Sequence, residues 1–174
     1  MRISASLLKN SRTQDFWKDN KMLKRVKIAS MDMLVQIMTP VIESGKSVKF
    51  TVVGNSMYPL FRDGIETVTM VKADNIKKYD VILYRREEGS YVLHRVVGVG
   101  KDGYKLCGDN QLAIEYPVKE SSVIAVMTEF ERKGKTVEIT RLWYVLYSRI
   151  WCILLPLTPF MFETARFVKR LMKI

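Results

Sequence analysis

Apolar and polar positions alternate with three different rhythms along the chain. From Met22 to Ser44, Ile28, Met31, Leu34, Val35, Met38, Val41 and Ile42 recur at helical spacing. Pro40 should kink or restart this helix, and Gly45 is its expected stop. After Gly45 the period drops to two. Short runs rich in Val, Ile, Thr and Tyr predict strands over Val48 to Val53, Ile65 to Val71, Asp80 to Arg85, Tyr91 to Val99, Tyr104 to Cys107, Ser122 to Arg132 and Thr136 to Thr140. Lys101-Asp102-Gly103 reads as a hairpin turn. Strands at this spacing predict a mainly β fold, a coiled antiparallel sheet or partly open barrel.

At Arg141 the pattern changes again. Leu142 to Leu155 is apolar almost all round, Pro156 and Pro159 interrupt it, and Thr158-Pro159 is a good helix start. Beyond it, Met161, Phe167, Val168, Leu171 and Met172 share one helical face, while Arg166, Lys169, Arg170 and Lys173 share the other. The domain reading is therefore a basic arm over 1–21, a helix over 22–45, a β-rich domain over 46–140 and a helical tail over 141–174.

Charge sharpens the reading of the ends. The 174 residues carry a net charge of +11, with 8 basic and 2 acidic side chains in 1–27, 6 and 1 in 141–174, and 15 of each between. A nucleic-acid reader usually carries its basic face on the folded domain, so no nucleic-acid partner is expected. Basic ends rich in apolar residues point to an anionic membrane surface. The tail has three options: lying on or in the interface, spanning, or packing on the protein's own core. A span is disfavoured by Arg149, which costs about 2.5–3.5 kcal/mol near a bilayer centre. Residues 1–20 lack the apolar core of a secretory signal. A single histidine and two unpatterned cysteines, Cys107 and Cys152, give no metal or redox motif, and no cofactor or metal is expected.

The candidate chemistry starts at Gly54-Asn55-Ser56-Met57-Tyr58-Pro59, a tight turn after a β-branched run. Such a turn can expose a serine hydroxyl with backbone N–H groups of Gly54, Asn55 and Ser56 around it, which suits a nucleophile beside an oxyanion site. A potential base, His94, lies 38 residues on, and Gly108-Asp109-Asn110 follows it. Neutral imidazole takes a serine proton without special tuning. An acid must then hold its tautomer, and Asp109 and Glu115 are both candidates. Each alone reads as ordinary: His94 as a core residue on an apolar strand, Asp109 as a turn former.

Together these stretches resemble a family. Ser56-Met57-Tyr58-Pro59 resembles the Ser-Met-x-Pro box of type I signal peptidases and the LexA-type self-cleaving proteins. Tyr79 to Tyr84, then Leu93-His94-Arg95-Val96-Val97-Gly98 and Lys105-Leu106-Cys107-Gly108-Asp109-Asn110, resemble the following boxes in the same order. The resemblance implies a coiled β fold, Ser56 as nucleophile and His94 as base, as in the archaeal and endoplasmic-reticulum branch, with Met57, Pro59, Arg95, Gly108 and Asn110 structural. It departs at Gly54, where a hydroxyl residue is common, and at Glu115, where an aspartate is common. It also lacks an N-terminal membrane anchor before the serine. The expected function is a membrane-associated serine endopeptidase acting on extended peptides with small residues at the cleaved bond. The alternatives are a LexA-like self-cleaving protein, for which no upstream Ala-Gly or Cys-Gly bond exists, and a non-catalytic binding module. Asp109, on its stiff turn, is expected to orient His94 in preference to Glu115.

Overall fold

The computed structural model describes residues 30–157 and, as backbone only, Ile3–Ala5 (β1) and Val26–Ile28 (β2). The expected basic arm and the expected last helix otherwise lie outside the described residues.

Helix α1 runs over Met31–Glu43. It starts later than expected because Ser30 caps it, its side chain accepting the Met33 N–H at 3.3 Å, and because Val26–Ile28 is a strand. Leu34, Met38 and Ile42, one above another on one face, are buried. A single helix passes through Pro40, which falls in the last turn, so no restart occurs. Gly45, at φ +79°, ends it as expected and donates to the Ile42 carbonyl.

The strands are Val48–Thr51 (β3), Thr67–Lys72 (β4), Val81–Arg85 (β5), Tyr91–Gly100 (β6), Gly103–Cys107 (β7), Glu115–Val118 (β8), Val123–Arg132 (β9) and Lys135–Glu138 (β10). Strand β8 was not expected. These eight form one antiparallel sheet that is not closed into a barrel. Its path runs β3-β4-β9-β5-β6-β7-β8, and β1 and β2 add to the β3 edge. Strand β9 pairs with β5 through residues 123–126 and with β10 through 129–132.

Both faces of the central strands are covered. Val81, Leu83 and Leu93 join a core that includes the inner face of α1, Phe61 and Phe130, while Ile82, Tyr84, Val96 and Leu106 form a second core. Because successive side chains on a strand point to opposite faces, His94 shares a face with Val96 and Arg95 shares one with Leu93. Helix α2, Leu142–Leu154, covers the Arg95 side with Tyr144 and Ser148 buried. The stretch expected as a membrane-associating tail therefore begins inside the packed domain. Among the described residues no helix is long and apolar enough to cross a membrane.

Candidate active site

The Ser56 turn is anchored from below. Met57, Leu60 and Phe61 are buried, each worth about 1.5–3 kcal/mol against exposure. Gly54 sits at φ +101°, a conformation that favours glycine. Its N–H donates to Asp63 Oδ1 at 2.8 Å, so it is not free for an oxyanion. Tyr58 N–H donates to the Asn55 carbonyl. The Ser56 N–H has no acceptor among the described residues.

From the other side the turn is gripped by the segment after β7. Asn110 donates its backbone N–H to the Ser56 carbonyl at 2.8 Å and its side-chain amide to the Asn55 carbonyl at 3.1 Å. Gly108 permits this approach. A Cβ there would lie 2.6 Å from the Ser56 carbonyl oxygen and 3.0 Å from His94 Nε2. The Ser56 backbone and His94 Nε2 thus flank one small volume, kept open by the missing side chain.

His94 is fully buried on β6, where its neighbour Arg95 pairs with Cys107 of β7. Nε2 is buried and has no hydrogen-bond partner among the described residues, so the Ser56 hydroxyl is not hydrogen-bonded to it. Such bonds are often long without substrate and tighten when it binds. Nδ1 faces Glu115 Oε1 at 3.2 Å and the Tyr84 hydroxyl at 3.1 Å. An ionised carboxylate only accepts, so Glu115 selects the Nδ1–H tautomer and leaves Nε2 with a lone pair. Arg86 grips Glu115 in turn, with Nε at 2.8 Å from Oε2 and Nη2 at 2.5 Å from Oε1.

The expected role of Asp109 at His94 is not what the structure shows. Asp109 is buried against Arg95, with Arg95 Nε donating to Oδ1 at 2.8 Å and Nη2 to Oδ2 at 2.7 Å. Cys107, the last residue of β7, pairs with Arg95, and the alternation carried past it puts Gly108 on the His94 side and Asp109 on the Arg95 side. Glu115, on the unexpected strand β8, reaches the imidazole instead. Arg95 holds the Asp109 carboxylate from β6. It also donates to the Tyr79 carbonyl, the Ser148 hydroxyl and the Tyr144 hydroxyl. Tyr84, Arg86, Tyr147 and Ser148 are site residues that the sequence reading did not select.

Burial sets the ionisation of the site. It brings His94 from an ordinary 6.5 down to about 4, aided by Arg86 and opposed by Glu115 and Asp109. Burial pushes Glu115 upwards, but hydrogen bonds from Arg86 and Tyr84 hold it below its ordinary value. Burial and then Glu115 raise the Tyr84 hydroxyl, which stays protonated. Burial also lifts Cys107 to about 11, so its thiol is no nucleophile at neutral pH. An unperturbed imidazole would place the acid limb of activity between roughly pH 5.5 and 7.5. The structure moves it to about pH 4. The rate of any reaction that uses His94 as its base should therefore stay flat from pH 7 to 5 and fall only below that. Stability has the same sign. The folded value lies below the unfolded one, so this contribution is complete above pH 6.5 and is lost as pH falls towards 4. The full loss is roughly 3 kcal/mol at 1.36 kcal/mol per unit.

Comparison of the chain with family models, with curated proteins and with solved structures returned no match.

Proposed function

We propose that this chain is a serine endopeptidase similar to signal peptidases, acting at a membrane surface. One observation carries the reading: a buried, unpartnered His94 Nε2 lies beside the Ser56 turn while a carboxylate holds the opposite nitrogen. In this mechanism Ser56 Oγ attacks the scissile carbonyl as Nε2 takes its proton. Glu115 stabilises the imidazolium, and the Ser56 N–H donates to the developing oxyanion. His94 then protonates the leaving amine and activates the water that releases the acyl group. The coiled-sheet fold of that family agrees with an open antiparallel sheet. By resemblance, the substrate is an extended segment with small residues at the cleaved bond. The test is comparison of N-terminal peptides from cells carrying wild-type or Ser56→Ala protein. Peptides whose new ends follow small residues should vanish in the variant, and identical sets would overturn the reading.

The membrane part rests on the outer face of α2. Leu142, Leu146, Ile150 and Ile153 form an exposed helical stripe, with Leu142 72% and Ile153 71% accessible, and Trp143 beside it. Arg166, Lys169, Arg170 and Lys173 follow in the sequence. At about 1 kcal/mol each near an anionic surface, these four supply up to about a thousandfold in affinity. The full chain should co-float with anionic vesicles at low salt, and deleting residues 158–174 should weaken this strongly. Deleting from 141, by contrast, removes the Arg95 partners Tyr144 and Ser148. A full-length protein that ignores such vesicles would refute the membrane role.

A further inference from the structure

We infer that α2 is a working part of the site. Tyr147 and Ser148 are positioning residues that fix the Asp109–Arg95 pair, and through it the grip of Asn110 on the Ser56 turn. The catalytic arm of this inference rests on the peptidase reading above.

Three inward positions of α2, Tyr144, Tyr147 and Ser148, carry hydroxyls in a helix that is otherwise almost wholly apolar. Packing on a hydrophobic core needs no hydroxyls. Here all three meet the same buried ion pair. Arg95 Nη1 donates to Ser148 Oγ at 2.9 Å and to the Tyr144 hydroxyl at 3.3 Å. The Tyr147 hydroxyl donates to Asp109 Oδ2 at 2.9 Å. The rings of Tyr144 and Tyr147 lie against the guanidinium at 5.7 and 5.6 Å. The helix thus binds both members of the pair: the arginine next to the candidate base and the aspartate next to the clamp.

The clamp follows directly along the chain. Asp109 precedes Asn110, whose N–H and side-chain amide hold the carbonyls of Ser56 and Asn55. Gly108, on the other side, leaves no room for a Cβ between the Ser56 carbonyl and His94 Nε2. A rotation of Asp109 would carry both neighbours with it. A chain of contacts becomes coupling only where a change at one end moves the other.

The experiment therefore reads the far end. Tyr147→Phe, Ser148→Ala and the double variant are prepared as full chains, with Ser148→Thr as the conservative rescue and Arg149→Gln, at an exposed position of the same helix, as control. The first readout is amide exchange at Asn110, measured against Val96 in the sheet. Losing a hydrogen bond to a charged group is worth about tenfold or more. Exchange at Asn110 should rise by that factor in Tyr147→Phe and further in the double variant, with Val96 unchanged. Ser148→Thr and Arg149→Gln should match wild type. The second readout is kinetic: kcat should fall by a similar factor with KM within twofold.

Folded variants with unaltered Asn110 exchange would overturn the inference and leave α2 as a cover over the ion pair. Tyr147→Phe removes one hydroxyl and keeps the ring, so it tests the point even if the double variant does not fold. If Asn110 opens as expected while Ser56→Ala changes no peptide, the clamp stands and the peptidase reading fails.

Discussion

Ser56→Ala and His94→Ala should each remove essentially all of the proposed peptide cleavage, a loss on the order of 10⁴-fold or more, because a nucleophile and its base act as one unit. Their folds should respond differently. Ser56 is half-exposed on a turn held by backbone bonds and by the buried Met57, so its variant should melt like wild type. His94 is fully buried, and its loss leaves a cavity beside Tyr84 and removes a partner of Glu115. A lower melting temperature is expected there, with the sheet retained. Steady-state assays beside thermal melts check both. Either variant turning over at near the wild-type rate would remove the assignment. Lysine at position 94 should not rescue activity at neutral pH. Beside Arg86 and Glu115 it would have to shed its own proton and would remain charged or disrupt the core.

Asp109→Asn should cost mainly stability and Glu115→Gln mainly catalysis, in the reverse of the order the sequence led us to expect. Asp109→Asn leaves the buried Arg95 charge without its counter-ion, a loss of about 3–5 kcal/mol. For a domain of this size that lowers Tm by about 10 °C or more. Glu115→Gln leaves Arg86, its other partner, partly exposed, so little stability should change. Its amide, however, can donate to His94 Nδ1, which forces the proton onto Nε2 and abolishes the base. A fall in kcat of at least about 10²-fold is expected. Kinetics and melts of both variants decide the matter. If Asp109→Asn lost kcat with its Tm unmoved and Glu115→Gln were mild, the orienting role would return to Asp109.

That reversal shows what could be read from residue order. Seven strands of the sheet followed the period-two pattern to within a few positions. Strand β8 did not, because Glu115-Tyr116-Pro117-Val118 contains a proline, and its place at the sheet edge, beyond β7, is what tolerates one. Missing β8 displaced the acid. Glu115 then read as loop, and Asp109 won on chain proximity and a stiff turn. The signal that decides between them was nevertheless present. His94-Arg95 lies on β6 and Gly108-Asp109 directly follows the end of its partner β7, and by alternation the two members of each adjacent pair point to opposite faces. Glycine next to histidine and carboxylate next to guanidinium is the arrangement that avoids burying an unpaired charge. Tyr84 lies two positions from Ile82, which pairs with His94, and strand register could have placed it beside the imidazole. The hydroxyls of Tyr144, Tyr147 and Ser148 were hidden by the apolar run around them. Read as a stripe at i, i+3 and i+4, they mark the side of α2 that faces a buried polar group.

The pair between Arg95 and Ser148 joins positions 53 apart, and the bond from Asn110 to Asn55 spans 55. Synthesis runs from the N-terminus, at about 5–20 residues per second. The serine and the histidine are therefore made several seconds before Ser148, the last partner of the arginine next to the histidine. A nascent chain carries every reacting group while its scaffold is still unfinished. Whatever hydrolytic capacity the finished molecule has is thereby withheld until α2 has been made and has packed onto the arginine.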